Sequence, residues 1–337
     1  MSDKNSNQYA ISANDVINAA ARIKVNCTPL IMFEEVNSIS DRTVYFKCEC
    51  MQKSGSFKFR GASNAIALLD ATKSTAGVTT HSSGNHAAAL ALAAMIKNIP
   101  AIIIMPSNAP LIKRRAVEGY GAKVILCEPT QIARELAAKK VVDETGAEFI
   151  HPSEDPRVIA GQGTMALELL DQIKEIDGGT LDAVIVPIGG GGMISGITIA
   201  LKERHPHIRI IGAEPLVAND AYRSKQSGIL QGHENGTTPK TIADGLKTTL
   251  GVNTFPIVKD LVDEIICVSE AQISYALRFV YEKMKLAIEP SAAVGVAALL
   301  SENLSRTTRP ELKRIGVILC GGNIDLNDLP SLLGFDN

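Results

Sequence analysis

A lysine stands between two aromatic rings in Ser54-Gly55-Ser56-Phe57-Lys58-Phe59-Arg60-Gly61. The chain has only eight phenylalanines, so two on the flanks of one amine suggest a purpose for that amine. Aromatic packing desolvates an ammonium, lowers its pKa and frees the neutral amine to condense with a carbonyl. Taken alone, Lys58 reads as an ordinary solvated lysine; two other stretches reverse that reading. Gly189-Gly190-Gly191-Gly192 joins an apolar strand pattern at 183–188 to a helical one starting near Met193. Glycines let the backbone approach a ligand closely, and their N–H groups lie beside the positive end of a helix, which makes a phosphate cradle. His81-Ser82-Ser83-Gly84-Asn85-His86 likewise ends a strand pattern and opens a helical one. Its hydroxyls, amide and imidazoles exceed what a helix cap needs and suit a carboxylate or phenolate oxygen.

Amine, phosphate cradle and anion loop together describe pyridoxal phosphate holding an amino acid. A dinucleotide site is the sharper competitor, because Glu214 ends the next strand pattern, where a ribose-binding acid would lie. However, Gly-Gly-Gly-Gly-Met-Ile-Ser-Gly does not satisfy G-x-G-x-x-G in any register, and Lys58 would be left without a role. No Gly-Lys-Ser or Gly-Lys-Thr follows, which excludes a Walker loop.

The elements that must position these residues alternate along the chain. Runs at 76–81, 101–106, 123–127, 183–188, 209–214 and 316–320 read as buried strands, with helical patterns at 86–98, 131–145, 161–174 and 193–204. Ser269 and Gln272 form a capping box, after which Ile273, Leu277, Val280 and Met284 line one helical face. Continuously apolar strands, each followed by a helix, imply parallel sheet covered on both faces, an α/β fold. No repeat, low-complexity segment or linker is visible. The expected division is discontinuous: a small domain at 77–153 inserted into a large domain made from 1–76 plus 154–337, with no regulatory domain after the last strand.

Apolar residues make up 45% and charged residues 21% of the chain, which fits neither a disordered nor a membrane-spanning protein. A net charge of -2 offers nucleic acid no basic footprint. The polar start Met-Ser-Asp-Lys-Asn-Ser-Asn-Gln lacks the apolar core of a secretory signal, and no run is long enough to cross a bilayer. Six cysteines in a chain this long do not read as a disulfide framework. Cys48 and Cys50 flank Glu49, which could suggest a metal, but Val44, Phe46, Cys48 and Cys50 share one side of a strand pattern and read as buried thiols. A reducing, cytoplasmic setting is expected.

Ser-Gly-Ser-Phe-Lys-Phe-Arg-Gly-Ala resembles the cofactor-lysine motif of fold-type II pyridoxal phosphate enzymes. With Ser-Ser-Gly-Asn-His, Ile-Ala-Gly-Gln-Gly-Thr, the four glycines, Ile-Ala-Asp-Gly, Met-Lys-Leu-Ala-Ile-Glu-Pro-Ser-Ala-Ala and Cys-Gly-Gly-Asn following in order, nearly the whole chain resembles the serine racemase and threonine dehydratase family. The resemblance implies a tryptophan synthase β-like architecture of two open, twisted, mainly parallel sheets, and a homodimer. It implies that Lys58 carries the cofactor as a Schiff base, that Gly189, Gly190, Gly191 and Gly192 hold its phosphate and that Asn85 bonds its phenolic oxygen. Cys320 would face the pyridine nitrogen, where many relatives have Ser, and a neutral thiol makes the ring a weaker electron sink than an aspartate would. Racemisation needs an acid/base on each face of Cα; Lys58 serves one face and Ser83 is the candidate for the other. Threonine dehydratases of this kind commonly read Ser-Ala-Gly-Asn-His, so the second serine shifts the reading towards a racemase. Serine dehydratases can also carry two serines, but they tend to lack a histidine at the His86 position. Ser82, Ser83 and His86 would take the substrate carboxylate, with Arg134 approaching from the small-domain side.

The family also places Mg²⁺ or Mn²⁺ on Glu214, the Ala218 carbonyl and Asp220. Alone, these carboxylates read either as a solvated loop or as a hard-cation pair. In Thr28-Pro29-Leu30-Ile31-Met32-Phe33-Glu34 an acid and a bulky aromatic replace small hydroxyl residues, which argues against ATP as an effector, although Lys53 and Ser54 match. Ser153 stands where relatives have Asn on the cofactor side. The implied activity is interconversion of L- and D-serine with β-elimination to pyruvate and ammonia. The alternatives are a pure dehydratase of serine, threonine or 3-hydroxyaspartate, and a catalytically silent binding protein for the cofactor or an amino acid.

Overall fold

The computed structural model describes residues 8–233, 236–305 and 307–334; the polar segment 1–7, expected to hold no secretory signal, lies outside the described residues. The strands are β1 (Leu30–Ile31), β2 (Thr43–Lys47), β3 (Val78–His81), β4 (Ala101–Pro106), β5 (Lys123–Cys127), β6 (Glu148–Phe149), β7 (Ala183–Pro187), β8 (Arg209–Pro215), β9 (Glu264–Val268) and β10 (Arg314–Ile318). They form a six-stranded sheet in the order β1-β2-β10-β7-β8-β9 and a four-stranded sheet in the order β5-β4-β3-β6. Every pairing is parallel except β1 with β2. All five residues of β7 are buried, as a strand covered by helices on both faces requires. None of the described helices is long and apolar enough to cross a membrane.

Several bounds differ from the sequence reading. The helix expected at 161–174 runs from Pro156 to Asp177, because Asp155 caps it, proline occupies its first turn and Gly178 ends it at φ +69°. The two-residue strands β1 and β6 have too few residues to show a period. Strand β2 stops at Lys47, and its consecutive Val44, Tyr45 and Phe46 are all buried. It lies between β1 and β10 and has no solvent face, so the one-sided alternation through Cys50 does not hold. Cys48 is nonetheless buried, and Cys50 falls in the short helical turn that follows.

In the four-stranded sheet, successive residues point to opposite faces. Ile103 and Met105 pack with Leu90 of helix Asn85–Ile96, whereas Ile104 packs with Ala138 and Val141 of helix Gln131–Thr145 on the other side. Helix Lys58–Ala67 connects this sheet to the larger one. Phe57 is 8% exposed in the core of the six-stranded sheet, while Phe59 is 2% exposed in the core of the four-stranded sheet. A Cβ on Gly161 would stand 2.6 Å from the Cα of Gly61, so only glycine lets helix Pro156–Asp177 approach this closely.

Arg60, two residues past the lysine, is 1% exposed. Its guanidinium donates to both oxygens of Glu49 (2.8 and 2.7 Å) and to Glu168 (3.1 Å). Lys47 donates to the same Glu168 at 2.5 Å, to Gln172 at 2.6 Å and to the Thr28 carbonyl at 2.8 Å. The two cations and two carboxylates neutralise one another, which makes their burial tolerable. We predict that Glu49→Ala, which leaves Arg60 under-compensated, lowers unfolding free energy by about 3–5 kcal/mol in urea titration. A loss below about 1 kcal/mol would contradict this account.

Candidate active site

The four glycines expected to cradle a phosphate follow the end of β7. Gly191 adopts φ +79° to turn the chain into helix Gly192–Lys202, a conformation that disfavours any side chain. A Cβ on Gly190 would lie 2.4 Å from Ser153 Oγ, and one on Gly192 would lie 2.9 Å from the Ser153 carbonyl oxygen. Ser153 Oγ is buried and lacks a hydrogen-bond partner. Bare backbone, a helix N-terminus and an orphaned hydroxyl therefore converge, and this donor set fits a phosphate.

Lys58 opens its helix, half-buried, with Nζ donating to the Pro152 carbonyl at 2.8 Å and lying 5.1 Å from the Phe57 ring centroid. Burial lowers its pKa to about 8, against the opposing influence of Cys320 and Glu289. The end of β10 is stitched alongside: Phe57 N donates to the Cys320 carbonyl at 3.0 Å, and Ser56 pairs with Gly321. Burial pushes the Cys320 thiol well up, so it stays neutral. A Cβ on Gly321 would meet Glu289 Oε1 at 2.7 Å and Asn85 Nδ2 at 3.1 Å, so Lys58, Cys320, Glu289 and Asn85 form one group.

Asn85 begins its helix and is held at both ends of its amide. Nδ2 donates to Glu289 Oε1 (2.8 Å) and Oε2 (3.0 Å), and Oδ1 accepts from Asn323 Nδ2 at 2.8 Å. Burial, with Asp244 nearby, raises the Glu289 pKa to about 7. Sequence reasoning assigned no role to Glu289, Asn323 or Pro152. The only local cue for Glu289 was an acid placed directly before the proline that starts helix Pro290–Leu299.

Ser82 and Ser83 are half-buried in the loop between β3 and Asn85, and Ser82 Oγ accepts from Gly84 N at 3.3 Å. His86 is buried with Nε2 3.2 Å from the Ile150 carbonyl, so that nitrogen carries the proton and Nδ1 is left without a partner. Burial and the nearby Lys58 hold its pKa well below the usual value, and the ring is neutral. Arg134 lies on helix Gln131–Thr145, across the sheet from helix Asn85–Ile96, and its charge is felt at His81, the residue before Ser82, and at Cys127.

Beyond β7, Glu214 and Asp220 are both buried. Glu214 accepts from Ala221 N and Tyr222 N at 3.0 Å each, and Asp220 Oδ2 accepts from Leu250 N at 2.9 Å. Asp220 Oδ1 has no hydrogen-bond partner, with His233 Nδ1 3.7 Å away. Burial raises the Asp220 pKa to about 6, and burial plus the Asp220 charge raises that of Glu214. Ala218 is buried on the turn between them. An orphaned carboxylate oxygen beside a second acid is a donor set that a hard divalent cation fits.

Residues 22–321 match the family model described as pyridoxal-phosphate dependent enzyme. The chain is similar to the serine racemase of Arabidopsis thaliana, with 49% identity over 332 residues covering 97% of each chain. It is similar to the serine racemase of Homo sapiens, with 47% identity over 324 residues covering 95% of this chain and 93% of that one. Among solved structures it resembles maize serine racemase, with a TM-score of 0.91 and 44% identity covering 97% of this chain and 98% of that one.

The lowered pKa of Lys58 gives the site a measurable pH signature. Below about 8 the neutral amine fraction rises about tenfold per pH unit, and above it the fraction saturates. The rate at which cofactor-stripped protein takes up pyridoxal phosphate is expected to follow that curve. A rate still climbing towards pH 10 would show an ordinary, solvated lysine.

Proposed function

The chain belongs to the pyridoxal-phosphate dependent enzyme family, and we propose that it interconverts L- and D-serine and also eliminates serine to pyruvate and ammonia. The observation that carries this reading is the desolvated Lys58 amine, grouped with Cys320, Asn85 and Glu289 in a chain whose relatives are serine racemases. Lys58 would hold the cofactor, Gly189 to Gly192 and Ser153 its phosphate, and Asn85 its phenolic oxygen. Pyridoxal phosphate, when bound, supplies the electron sink that makes the Cα proton of an amino acid removable.

Within that assignment, Lys58 Nζ takes or returns the Cα proton on one face and Ser83 Oγ does so on the other. Whether serine is inverted or loses its β-hydroxyl then depends on how soon Ser83 supplies a proton. Cys320 offers a neutral thiol and no negative charge, which limits carbanion stabilisation and favours prompt reprotonation or elimination. Ser82, Ser83 and the free N–H groups at the start of helix Asn85–Ile96 hold the carboxylate; neutral His86 shapes that wall and adds no charge. Arg134, whose charge reaches His81 beside Ser82, would approach the carboxylate from the small-domain side.

The domain division at 77–153 is kept, since β3 to β6 all lie inside it. The free thiols suit a reducing cytoplasm, and the likeness to the racemase and dehydratase family suits a homodimer. An ATP effector is not assigned: Thr28 spends its hydroxyl on Glu49 at 2.6 Å, and Phe33 turns inward on Phe46 with ring centroids 6.0 Å apart.

The decisive measurement incubates the holoenzyme with L-serine and quantifies D-serine and pyruvate together. Ser83→Ala is expected to lower racemisation by about 10²–10⁴-fold while elimination from L-serine partly survives. Equal loss of both would remove Ser83 from the proton path, and no D-serine from the wild type would favour the pure dehydratase.

Glu214, the Ala218 carbonyl and Asp220 would hold Mg²⁺ or Mn²⁺. Both carboxyl pKa values are raised in the folded state, so the folded protein binds these protons more tightly than the unfolded chain. The contribution of Asp220 to stability is therefore lost as pH rises from about 4 to about 6, and that of Glu214 as pH rises through its own raised pKa. A cation should restore stability once both are ionised. Added Mg²⁺ is expected to raise Tm more at pH ~7.5 than at pH ~5, and Asp220→Asn should abolish the difference. A wild-type Tm indifferent to divalent cations at both pH values would rule the site out.

A further inference from the structure

Lys58 and the phosphate cradle both lean on the short run from His151 to Asp155, which leads from β6 into helix Pro156–Asp177. Pro152 supplies the carbonyl that receives Lys58 Nζ at 2.8 Å. Ser153 supplies the orphaned hydroxyl and packs against Gly190 and Gly192. Glu154 then ties the opposite wall of the cradle. Its carboxylate accepts from Asn253 N and Thr254 Oγ1 at 2.7 Å each, and Thr254 Cβ lies 2.8 Å from where a Gly191 Cβ would fall. Three consecutive residues thus face three parts of one site, and none belongs to a helix or strand that would fix it.

What shapes the run is the residue before it. His151 Nδ1 accepts from Ser153 N at 3.2 Å and from Glu154 N at 2.9 Å. A ring nitrogen accepting two N–H groups carries no proton, so the proton of this imidazole lies on Nε2. The ring is held in that orientation by edge-on packing against His81 and Phe149, each 6.1 Å away at 88° and 71°. Burial, then the neighbouring His81 and Lys58, lowers its pKa to about 4, which keeps the acceptor available at neutral pH.

We propose that His151 is a positioning residue of this active site, its unprotonated Nδ1 stapling the 152–154 turn so that one backbone carbonyl meets Lys58 while Ser153 closes the phosphate cradle. The proposal rests on the reading of Lys58 and Gly189 to Gly192 as the pyridoxal phosphate site, and it adds an actor that touches neither substrate nor cofactor.

The test exploits the length of the acceptor arm. Asparagine carries Oδ1 as many bonds from the backbone as histidine carries Nδ1 and readily accepts from N–H groups two residues on; glutamine carries its amide one bond further out. Holoenzyme with His151→Asn or His151→Gln is compared with wild type for pyridoxal phosphate dissociation constant, for kcat with L-serine, and for Tm of the cofactor-free protein. The expected result is that His151→Asn stays within about threefold of wild type, while His151→Gln weakens cofactor binding and lowers kcat by about tenfold or more, the worth of one to two hydrogen bonds. If both variants match wild type, if both fall equally, or if His151→Gln lowers Tm alone, the staple has no part in positioning the site. A wild type that binds no pyridoxal phosphate would instead refute the underlying cofactor reading.

Discussion

The chain passes from one hydrophobic core to another within three residues, and Lys58 is the residue in between. Phe57 belongs to the core of the six-stranded sheet and Phe59 to the core of the four-stranded sheet. Residues two apart at a helix start point roughly opposite ways, so the two rings can be shared between the cores while the amine is left at the seam. The flanking phenylalanines are thus anchors in two different cores, and the Phe57 ring lies beside the amine. The polar groups that act on Lys58 arrive from elsewhere in the chain: the Pro152 carbonyl, Cys320 at the end of β10, and Glu289.

Charge is distributed to suit this arrangement. Lys47, Glu49, Arg60 and Glu168 form a balanced cluster that fixes the helix behind the lysine, with each ion compensated. Around the lysine itself, burial drives groups towards neutrality: the amine falls to about 8, Glu289 rises to about 7 and the Cys320 thiol is held protonated. Full charges occur where rigidity is required, and poised groups occur where protons must move. The same burial acts on Glu214 and Asp220, and the Asp220 charge raises Glu214 further.

Much of the fold was legible because parallel strands buried on both faces read as uninterrupted Val and Ile runs, as in β4 and β7. Strand β5 also falls on its expected residues, but as an edge strand it is only partly covered and not the buried strand its sequence suggests. What was not legible has physical causes. Strands of two residues carry no period, and β2 read as one-sided because alternation in its own residues cannot reveal that the rest of the fold covers both faces. Arg134 could be named from its type, but its side of the four-stranded sheet follows from which of Ile103 and Ile104 its helix packs against.

Local sequence by itself determined the chemistry on offer: an amine between aromatics, four glycines after a strand, hydroxyls and an amide opening a helix. These signals are local, because strand ends, helix starts and glycine runs are set by neighbours along the chain. Only the tertiary structure decided which groups complete the site. The acceptor of Lys58 lies 94 residues away and is a backbone carbonyl, which has no residue identity to recognise, and the carboxylate of Glu289 lies 204 residues from the amide it grips. The His151 staple, the orphaned Ser153 hydroxyl and the Arg60 ion cluster belong to the same class: their meaning comes from burial and from partners that the fold alone brings within hydrogen-bonding distance.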